Sequence, residues 1–310
     1  MSRQTVGHLA ALFTILNWGT TFIATKVLLR AFTPVEILVF RFALGMLALY
    51  VACPRLLRVR DRRQELTFVA AGLTGGCLYY LLENIALQYT TAANVGIIVA
   101  TAPMFTAILA WKAGQEKRPD RRFFLGFLVA ILGICLISFH SVAEVSLDWR
   151  GDLLTLIAAS IWGMYSLLVK KINTFGYNIL QTTRCTFMYG LLFMIPAASF
   201  MDFRWELGRL TQGPYLAIFL YLGIGACAMC FVTWGIAVSH LGPVKTSVYL
   251  YLSPVITMVC SVWILHENLT LPSLIGAILT LSGLVVSQWG ALVGQKRGRK
   301  SEPEKCLTHQ

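Results

Sequence analysis

Long apolar runs separated by short polar loops make up most of the chain. A membrane-spanning helix needs about 20 mostly apolar residues, and ten stretches of roughly that length occur. They are residues 6–29, 34–53, 67–88, 92–112, 122–139, 152–170, 178–200, 213–237, 243–265 and 272–293. The pattern predicts an all-α integral membrane protein with ten transmembrane helices and no room for a separate soluble domain.

The second half of the chain repeats features of the first. A shift of 151 positions places Ala86 on Ala237, Pro103 on Pro254, Thr106 on Thr257 and Glu116 on Glu267. A repeat with an odd number of helices must enter the membrane from opposite sides, so the two halves have inverted topology. We therefore predict two inverted five-helix repeats, residues 1–140 and 151–293, followed by a basic cytoplasmic tail at 294–310.

The net charge of +12 is explained by membrane orientation. Lysine and arginine accumulate in the cytoplasmic loops of membrane proteins. With a cytoplasmic N-terminus, 18 of the 26 lysines and arginines fall on the inner side, four on the outer side and four within helices. The split predicts that both termini are cytoplasmic, and nucleic-acid binding is not needed to explain the charge.

Composition and motifs favour a protein without catalytic chemistry. The chain is 57% hydrophobic and 13% charged, whereas about a quarter of residues are charged in soluble domains. Cys227 and Cys230 form a CxxC pair within an apolar run, where we expect packing residues and no disulfide. No HExxH, paired-acid or glycine-rich phosphate motif occurs. We expect no catalytic residue, metal or cofactor; an integral membrane enzyme is the alternative from a different class.

Glu83 is the acid deepest within a predicted span. Tyr79 lies one helical turn before it on the same face, and Asn84 follows it. Lys26 and Arg41 fall at a similar predicted depth, so one interpretation is an ion pair that locks helices together. The other is a functional carboxylate that binds an amine or exchanges protons, because an apolar environment disfavours its charged form. The sequence leaves both open.

Two further basic residues and two prolines complete the set of unusual membrane residues. Arg184 and Lys245 lie near the predicted inner face without an acid at their level, where they could contact a substrate carboxylate during loading. Pro103 and Pro254 interrupt helices and free a backbone carbonyl, which membranes tolerate beside a cavity. We predict helix kinks at both prolines.

Short motifs carry a family resemblance. The segments Trp18-Gly19, Ala86–Ala92 and Thr101-Ala102-Pro103, with their repeats, resemble the drug/metabolite transporter superfamily and, more narrowly, its EamA-type ten-helix transporters. The resemblance covers about residues 6–293. It implies a central cavity surrounded by helices 1, 3, 4, 6, 8 and 9. Together with the helix faces above, it gives these candidate substrate-binding residues: Trp18, Tyr79, Glu83, Asn84, Trp162, Tyr165, Arg184, Trp234 and Lys245.

The resemblance also implies a function. We expect a secondary transporter of the cytoplasmic (inner) membrane that exports a small metabolite, namely an amino acid or a related amine-containing compound. Transport is expected to be proton-coupled or facilitative, by a monomer or a homodimer. The alternative within the superfamily is an exchanger of sugar phosphates or nucleotide sugars.

Overall fold

The structure, a computed structural model, describes residues 2–55, 57–116, 118–144, 149–204 and 206–298. The helices are α1 (Arg3–Leu28), α2 (Pro34–Ala52), α3 (Arg62–Tyr89), α4 (Ala92–Lys112), α5 (Arg121–Glu144), α6 (Trp149–Asn173), α7 (Ile179–Phe200), α8 (Tyr215–Leu241), α9 (Pro243–Leu265) and α10 (Leu271–Gly298). A short 3₁₀ helix, Leu207–Thr211, precedes α8. Helix α10 continues past the predicted start of the tail at residue 294, and residues 299–310 lie outside the described part.

Helix length and exposed apolar side chains identify an integral membrane protein. Seven of the helices, α1, α2, α3, α4, α6, α8 and α9, are long and apolar enough to cross a bilayer. Large apolar side chains such as Leu47, Leu125, Ile195 and Trp263 point outward from the bundle. Apolar surface this extensive is rare on soluble proteins, and hydrocarbon accommodates it.

The start of α2 is capped by its own side chains. The backbone N–H of Thr33 donates to Oε2 of Glu36 at 2.7 Å, and the Glu36 N–H donates back to Oγ1 of Thr33 at 3.4 Å. Pro34 occupies the first turn, where its missing N–H is not needed. Glu36 also pairs with Arg209 at 2.7 Å, so this cap ties α2 to the segment before α8.

The two predicted kink prolines stand at the beginning of a new helical stretch. In α4, helix Ala92–Val99 ends in a turn, and Pro103 lies in the first turn of Ala102–Lys112. In α9, a 3₁₀ stretch Val248–Leu252 precedes Pro254, which lies in the first turn of Ser253–Cys260. A proline in a first turn has no hydrogen bond to lose, so each proline lies where the helix is interrupted by a turn, in α4, or changes from 3₁₀ to α, in α9.

Glycines allow the helices to approach one another closely. The most extensive helix contact joins α5 and α10. A Cβ added at Gly283 would lie 2.5 Å from the backbone N of Ala130, and one at Gly133 would lie 2.6 Å from the carbonyl O of Gly276. These contacts are closer than any side chain permits, so the two backbones pack directly on each other.

Helix α3 has a similar contact with α7. Its segment Gly72–Leu78 is a π-helix, which widens the helix immediately before Tyr79. A Cβ on Gly72 would lie 2.7 Å from the backbone N of Gly190 and 2.8 Å from the carbonyl O of Thr186. Because these are backbone atoms, a rotamer change cannot relieve the clash.

We therefore expect Gly72→Ala to lower the stability of the protein by about 1–3 kcal/mol, the usual cost of overpacking. Gly225→Ala is the matched control in α8, because its added Cβ would have no neighbour closer than 3.5 Å, and alanine favours helix formation. Thermal unfolding of the detergent-purified variants measures the difference. Equal melting temperatures for the two variants would show that the α3–α7 contact is looser than described.

Candidate functional site

Three tryptophans from three helices meet at the centre of the bundle. The ring centroids of Trp18 and Trp162 are 5.0 Å apart, those of Trp18 and Trp234 are 5.2 Å apart, and those of Trp162 and Trp234 are 5.7 Å apart. Tyr79 packs on Trp162 with centroids 4.8 Å apart. These residues, which the sequence analysis selects, therefore form one buried aromatic cluster that joins α1, α3, α6 and α8.

A small cavity borders this cluster. Its volume is about 20 Å³, and Trp18, Tyr79, Tyr80, Glu83 and Trp162 are among its lining residues. A space of this size holds about one water molecule. The centre of the bundle is thus closed, and any larger ligand requires the helices to separate.

Glu83 brings a carboxyl group to the wall of this cavity. Glu83 is 1% exposed, and Tyr79, one turn earlier on α3, is close enough to act on its carboxyl group. Among the described residues its Oε1 atom has no hydrogen-bond partner. Within the described residues it forms no ion pair, so the predicted locking pair with Lys26 or Arg41 is not formed.

Lys26 is held elsewhere, at the end of α3. Its Nζ atom donates to the carbonyl oxygens of Leu87 at 2.5 Å and Thr90 at 2.6 Å. The last carbonyls of a helix lack intrahelical donors and attract cations, and this attraction takes Lys26 away from the Glu83 level.

Arg41 lies near Glu83 without bonding to it. The residue is 0% exposed, its Nε donates to Sγ of Cys227 at 3.2 Å, and its guanidinium carbon lies 4.3 Å from the centre of the Tyr80 ring. Arg41 is close enough to act on Glu83 electrostatically. Its two terminal nitrogens, Nη1 and Nη2, have no hydrogen-bond partner.

Among the described residues, two tryptophans also have an indole nitrogen without a hydrogen-bond partner. Trp18 Nε1 donates to the carbonyl O of Ala226 at 2.9 Å, but the Nε1 atoms of Trp162 and Trp234 are buried and without acceptors. Buried polar atoms are nearly always hydrogen-bonded in native proteins. Unpartnered donors and one unpartnered carboxylate oxygen therefore concentrate around a single aromatic centre, as expected of a binding site.

Some predicted binding residues have a structural role. Asn84 lies away from the cavity wall, and its Nδ2 donates to the carbonyl O of Pro34 at 3.0 Å, which joins α3 to α2. Tyr165 packs against Trp162 and fills the space beside Gly75. Trp234 packs on Trp18 and Trp162, and these two indoles line the cavity together with Glu83.

The structure does not bring Arg184 and Lys245 to the central cavity. Both terminal nitrogens of Arg184 donate to backbone carbonyls, those of Cys53 and Arg55 at the end of α2. Lys245 is exposed at the start of α9. Their contact with a substrate carboxylate during loading stays a prediction.

The path from the cavity toward the predicted outer face is blocked by an apolar plug. Phe22, Leu87 and Val99 form a buried cluster there. Beyond the plug lies a wider vestibule of about 450 Å³ whose lining includes Lys26, Gln88 and Glu267. Charged side chains therefore line the vestibule and the central cavity, and the apolar side chains of the plug lie between them.

Glu267 connects the end of α9 to the start of α4 beside the vestibule. His266 adopts a left-handed backbone conformation with φ of 54°, which ends α9 and turns the chain toward α4. The Glu267 carboxylate accepts from the backbone N–H groups of Ala92 at 3.0 Å and Ala93 at 3.3 Å. A carboxylate suits these free N–H groups because of the partial positive charge at a helix start.

On the opposite side of the aromatic cluster lies a second small cavity. Its volume is about 20 Å³, and apolar side chains line it together with Tyr165, Asn173, Thr182, Thr183 and Thr186. A separate groove of about 480 Å³ between α2 and α7 is lined by residues such as Met46, Met188 and Leu192. The lining described for that groove has no charged side chain, so the groove suits lipid chains better than a polar solute.

Sequence reasoning missed three residues of this arrangement. Tyr80 lines the cavity and covers Arg41, Phe231 packs on Trp162 with centroids 6.1 Å apart, and Glu267 closes the vestibule. The repeat that relates Glu267 to Glu116 offers a signal for the last. No pattern separates Tyr80 or Phe231 from other apolar positions.

The sequence of the chain is similar to those of known membrane transporters. The model of the EamA-like transporter family matches residues 5–139 and 149–288. An uncharacterized transporter of Archaeoglobus fulgidus is 29% identical over 90% of this chain and 96% of its own. A probable terminal-alkyne amino-acid exporter of Streptantibioticus cattleyicolor is 26% identical over 89% of this chain and 91% of its own.

A solved crystal structure has the same fold, with a TM-score of 0.67 at 18% identity over 92% of this chain and 98% of that one. The family match spans most of the chain in two segments. These segments contain the helices that surround the aromatic cavity. The protein is a multi-pass membrane protein that belongs to the EamA-like transporter family.

Proposed function

We propose that the protein exports an amino acid or a related amine-containing metabolite, which binds between Glu83 and the aromatic cluster. The observation that carries the proposal is the unpartnered Oε1 of Glu83 on the wall of a closed aromatic cavity. An ammonium group would supply the missing hydrogen bond and the compensating charge. The rings of Trp18 and Trp162 would attract the same cation through their faces.

The sign of the charge also selects among substrate classes. The Glu83 carboxylate on the cavity wall repels the multiple negative charges of phosphate groups, which makes sugar phosphates and nucleotide sugars poorer candidates for this cavity than a solute with an ammonium group. An α-amino acid presents an ammonium group to Glu83 and an apolar side chain to the rings. The amino-acid export named for one relative at 26% identity agrees with this choice.

The transport cycle follows from the proposed architecture. The two family segments would be five-helix repeats of inverted orientation, which gives ten transmembrane helices and cytoplasmic termini in the inner membrane. Rocking between such halves exposes a central site to each side in turn. Glu83 is also the group proposed to carry a coupling proton, because it can hold either a proton or an ammonium group.

Purified protein in liposomes tests the proposal. Liposomes loaded with the common amino acids as a mixture should release a subset of them faster than protein-free liposomes, with no covalent change. Efflux of none of them, together with efflux of a sugar phosphate, would overturn the proposed function.

Glu83→Gln should lower the apparent affinity for the exported amine at least about tenfold, because a hydrogen bond to a charged group contributes roughly 1.5–3 kcal/mol. The same variant should lose acceleration by a pH gradient. Glu116→Gln, which changes an exposed acid, is the control and should transport normally. Transport and pH dependence that survive in Glu83→Gln would leave Glu83 with a structural role only.

Closure of the vestibule should depend on Glu267. We expect Glu267→Ala to weaken the attachment of α9 to α4 by about 1 kcal/mol, typical of a lost helix cap, and to raise opening about fivefold. The measurement is the rate of maleimide labelling of Val99→Cys in the plug, in a background without native cysteines. Glu116→Ala should leave the rate unchanged; equal rates in both variants would show that Glu267 does not hold the closed state.

The proposed orientation has its own test. Gln212→Cys, in an exposed segment before α8, should react with an impermeant thiol reagent in intact cells, because that segment is proposed to be external. Gln115→Cys, exposed after α4, should react only after the cells are opened. The reverse pattern would invert the topology inferred from the distribution of basic residues.

A further inference from the structure

We infer that Arg41 recognises the substrate carboxylate, so that Glu83 and Arg41 together make the centre selective for zwitterions. The inference rests on the proposed function, because it names the substrate class of the same site. It assigns to Arg41 a role that neither the family match nor the relatives' names supply.

Two buried arginines differ in whether their terminal nitrogens are hydrogen-bonded. Arg41 is 0% and Arg184 3% exposed, so both guanidinium groups are removed from solvent. The terminal nitrogens of Arg184 donate to the carbonyl oxygens of Cys53 and Arg55. Those of Arg41 have no acceptor within the part of the chain that the structure describes. Of these two arginines, Arg41 is the one left with an unmet requirement for an anion.

The immediate surroundings of Arg41 do not meet that requirement. Its neighbours include the face of the Tyr80 ring and the thiol of Cys227, both weak partners for a guanidinium ion. Glu83 acts on it electrostatically without a hydrogen bond or ion pair in the described structure. An unpaired buried charge is costly, and a carboxylate that binds both terminal nitrogens would remove that cost.

Tyr80 connects Arg41 to the cavity. Its side chain lines the cavity beside Glu83, and its ring also covers the Arg41 guanidinium at 4.3 Å. Displacement of this one ring would expose Arg41 to the space that Glu83 already lines. The acid and the base then face one volume, and an α-amino acid carries the complementary pair of charges.

The experiment compares solutes that differ by one carboxylate. Leucine is paired with isopentylamine, and phenylalanine with phenethylamine, as competitors of amino-acid efflux from liposomes that contain the full chain. We expect the wild-type protein to prefer the amino acid in each pair at least about tenfold. Arg41→Gln should reduce that ratio to near one while the amines still compete, because only the carboxylate contact is lost.

Three further variants separate recognition from folding. Arg41→Lys keeps the charge but lacks the two-pronged donor geometry, so its ratio should be intermediate. Arg184→Gln, at the buried arginine that is already satisfied, should keep the wild-type ratio. Trp162→Phe removes the unpartnered indole donor at the cavity wall; it should weaken binding of the amino acid and the amine of a pair alike, and so keep their ratio.

Two results would overturn the inference. One is an Arg41→Gln protein that loses amino acids and amines equally, together with an unchanged ratio in Arg41→Lys, which would make Arg41 a structural residue. The other is loss of the ratio in Trp162→Phe, which would assign the carboxylate to the indole. Wild-type protein that moves no amino acid would instead refute the proposed function itself.

Discussion

The organising constraint is that polar atoms inside a membrane bundle must find partners within the protein. Nearly everywhere this chain supplies them. Trp18 donates to Ala226, Asn84 to Pro34, and Lys26 to the end of α3. Each bond joins two helices, so satisfying these groups also fixes how the helices pack.

Most exceptions among the described residues lie at the centre of the bundle. Glu83 and Trp162 line the cavity, Arg41 lies behind the Tyr80 ring, and each of the three has a polar atom without a partner. In a bundle that otherwise meets such requirements, a local deficit of this kind indicates that a ligand supplies the remaining contacts. The deficit comprises both an acceptor and several donors, which favours a solute that carries both charges.

The proposed transport requires the closed centre to open. Before Pro103 a turn interrupts α4, and before Pro254 helix α9 changes from a 3₁₀ to an α-helix, both near the cavity. The plug of Phe22, Leu87 and Val99 is held by apolar contacts. Contacts of this kind are non-directional and can re-form in a second arrangement, whereas the hydrogen bonds of Lys26 and Glu267 at the vestibule are directional.

The helices and the aromatic centre could be predicted from sequence because period, length and composition determine them. Thr33 and Pro34 predict the start of α2, and Trp18, Tyr79 and Trp162 meet as their depths require. The hydrogen-bond and ion-pair partners of the charged side chains could not be predicted in the same way. Lys26 and Arg41 both lie near the level of Glu83, but rotation about each helix axis and competing main-chain carbonyls decide which groups meet.

Arg184 illustrates the same limit. An arginine at this depth could contact a substrate, yet its terminal nitrogens donate to carbonyl oxygens at the end of α2. Such acceptors leave no signature in the sequence, because every residue has a carbonyl group. Tyr80 is missed because its role depends on where Arg41 and Glu83 lie, one on each side of its ring, and the sequence does not give those positions.

A structure of the protein in lipid nanodiscs with a transported amino acid tests the central claim most directly. The account predicts the ammonium group within hydrogen-bonding distance of Glu83, the side chain against Trp18 and Trp162, and a cavity larger than the closed one. An amino acid bound beside Arg184 or in the vestibule, with Glu83 still unpartnered, would contradict it.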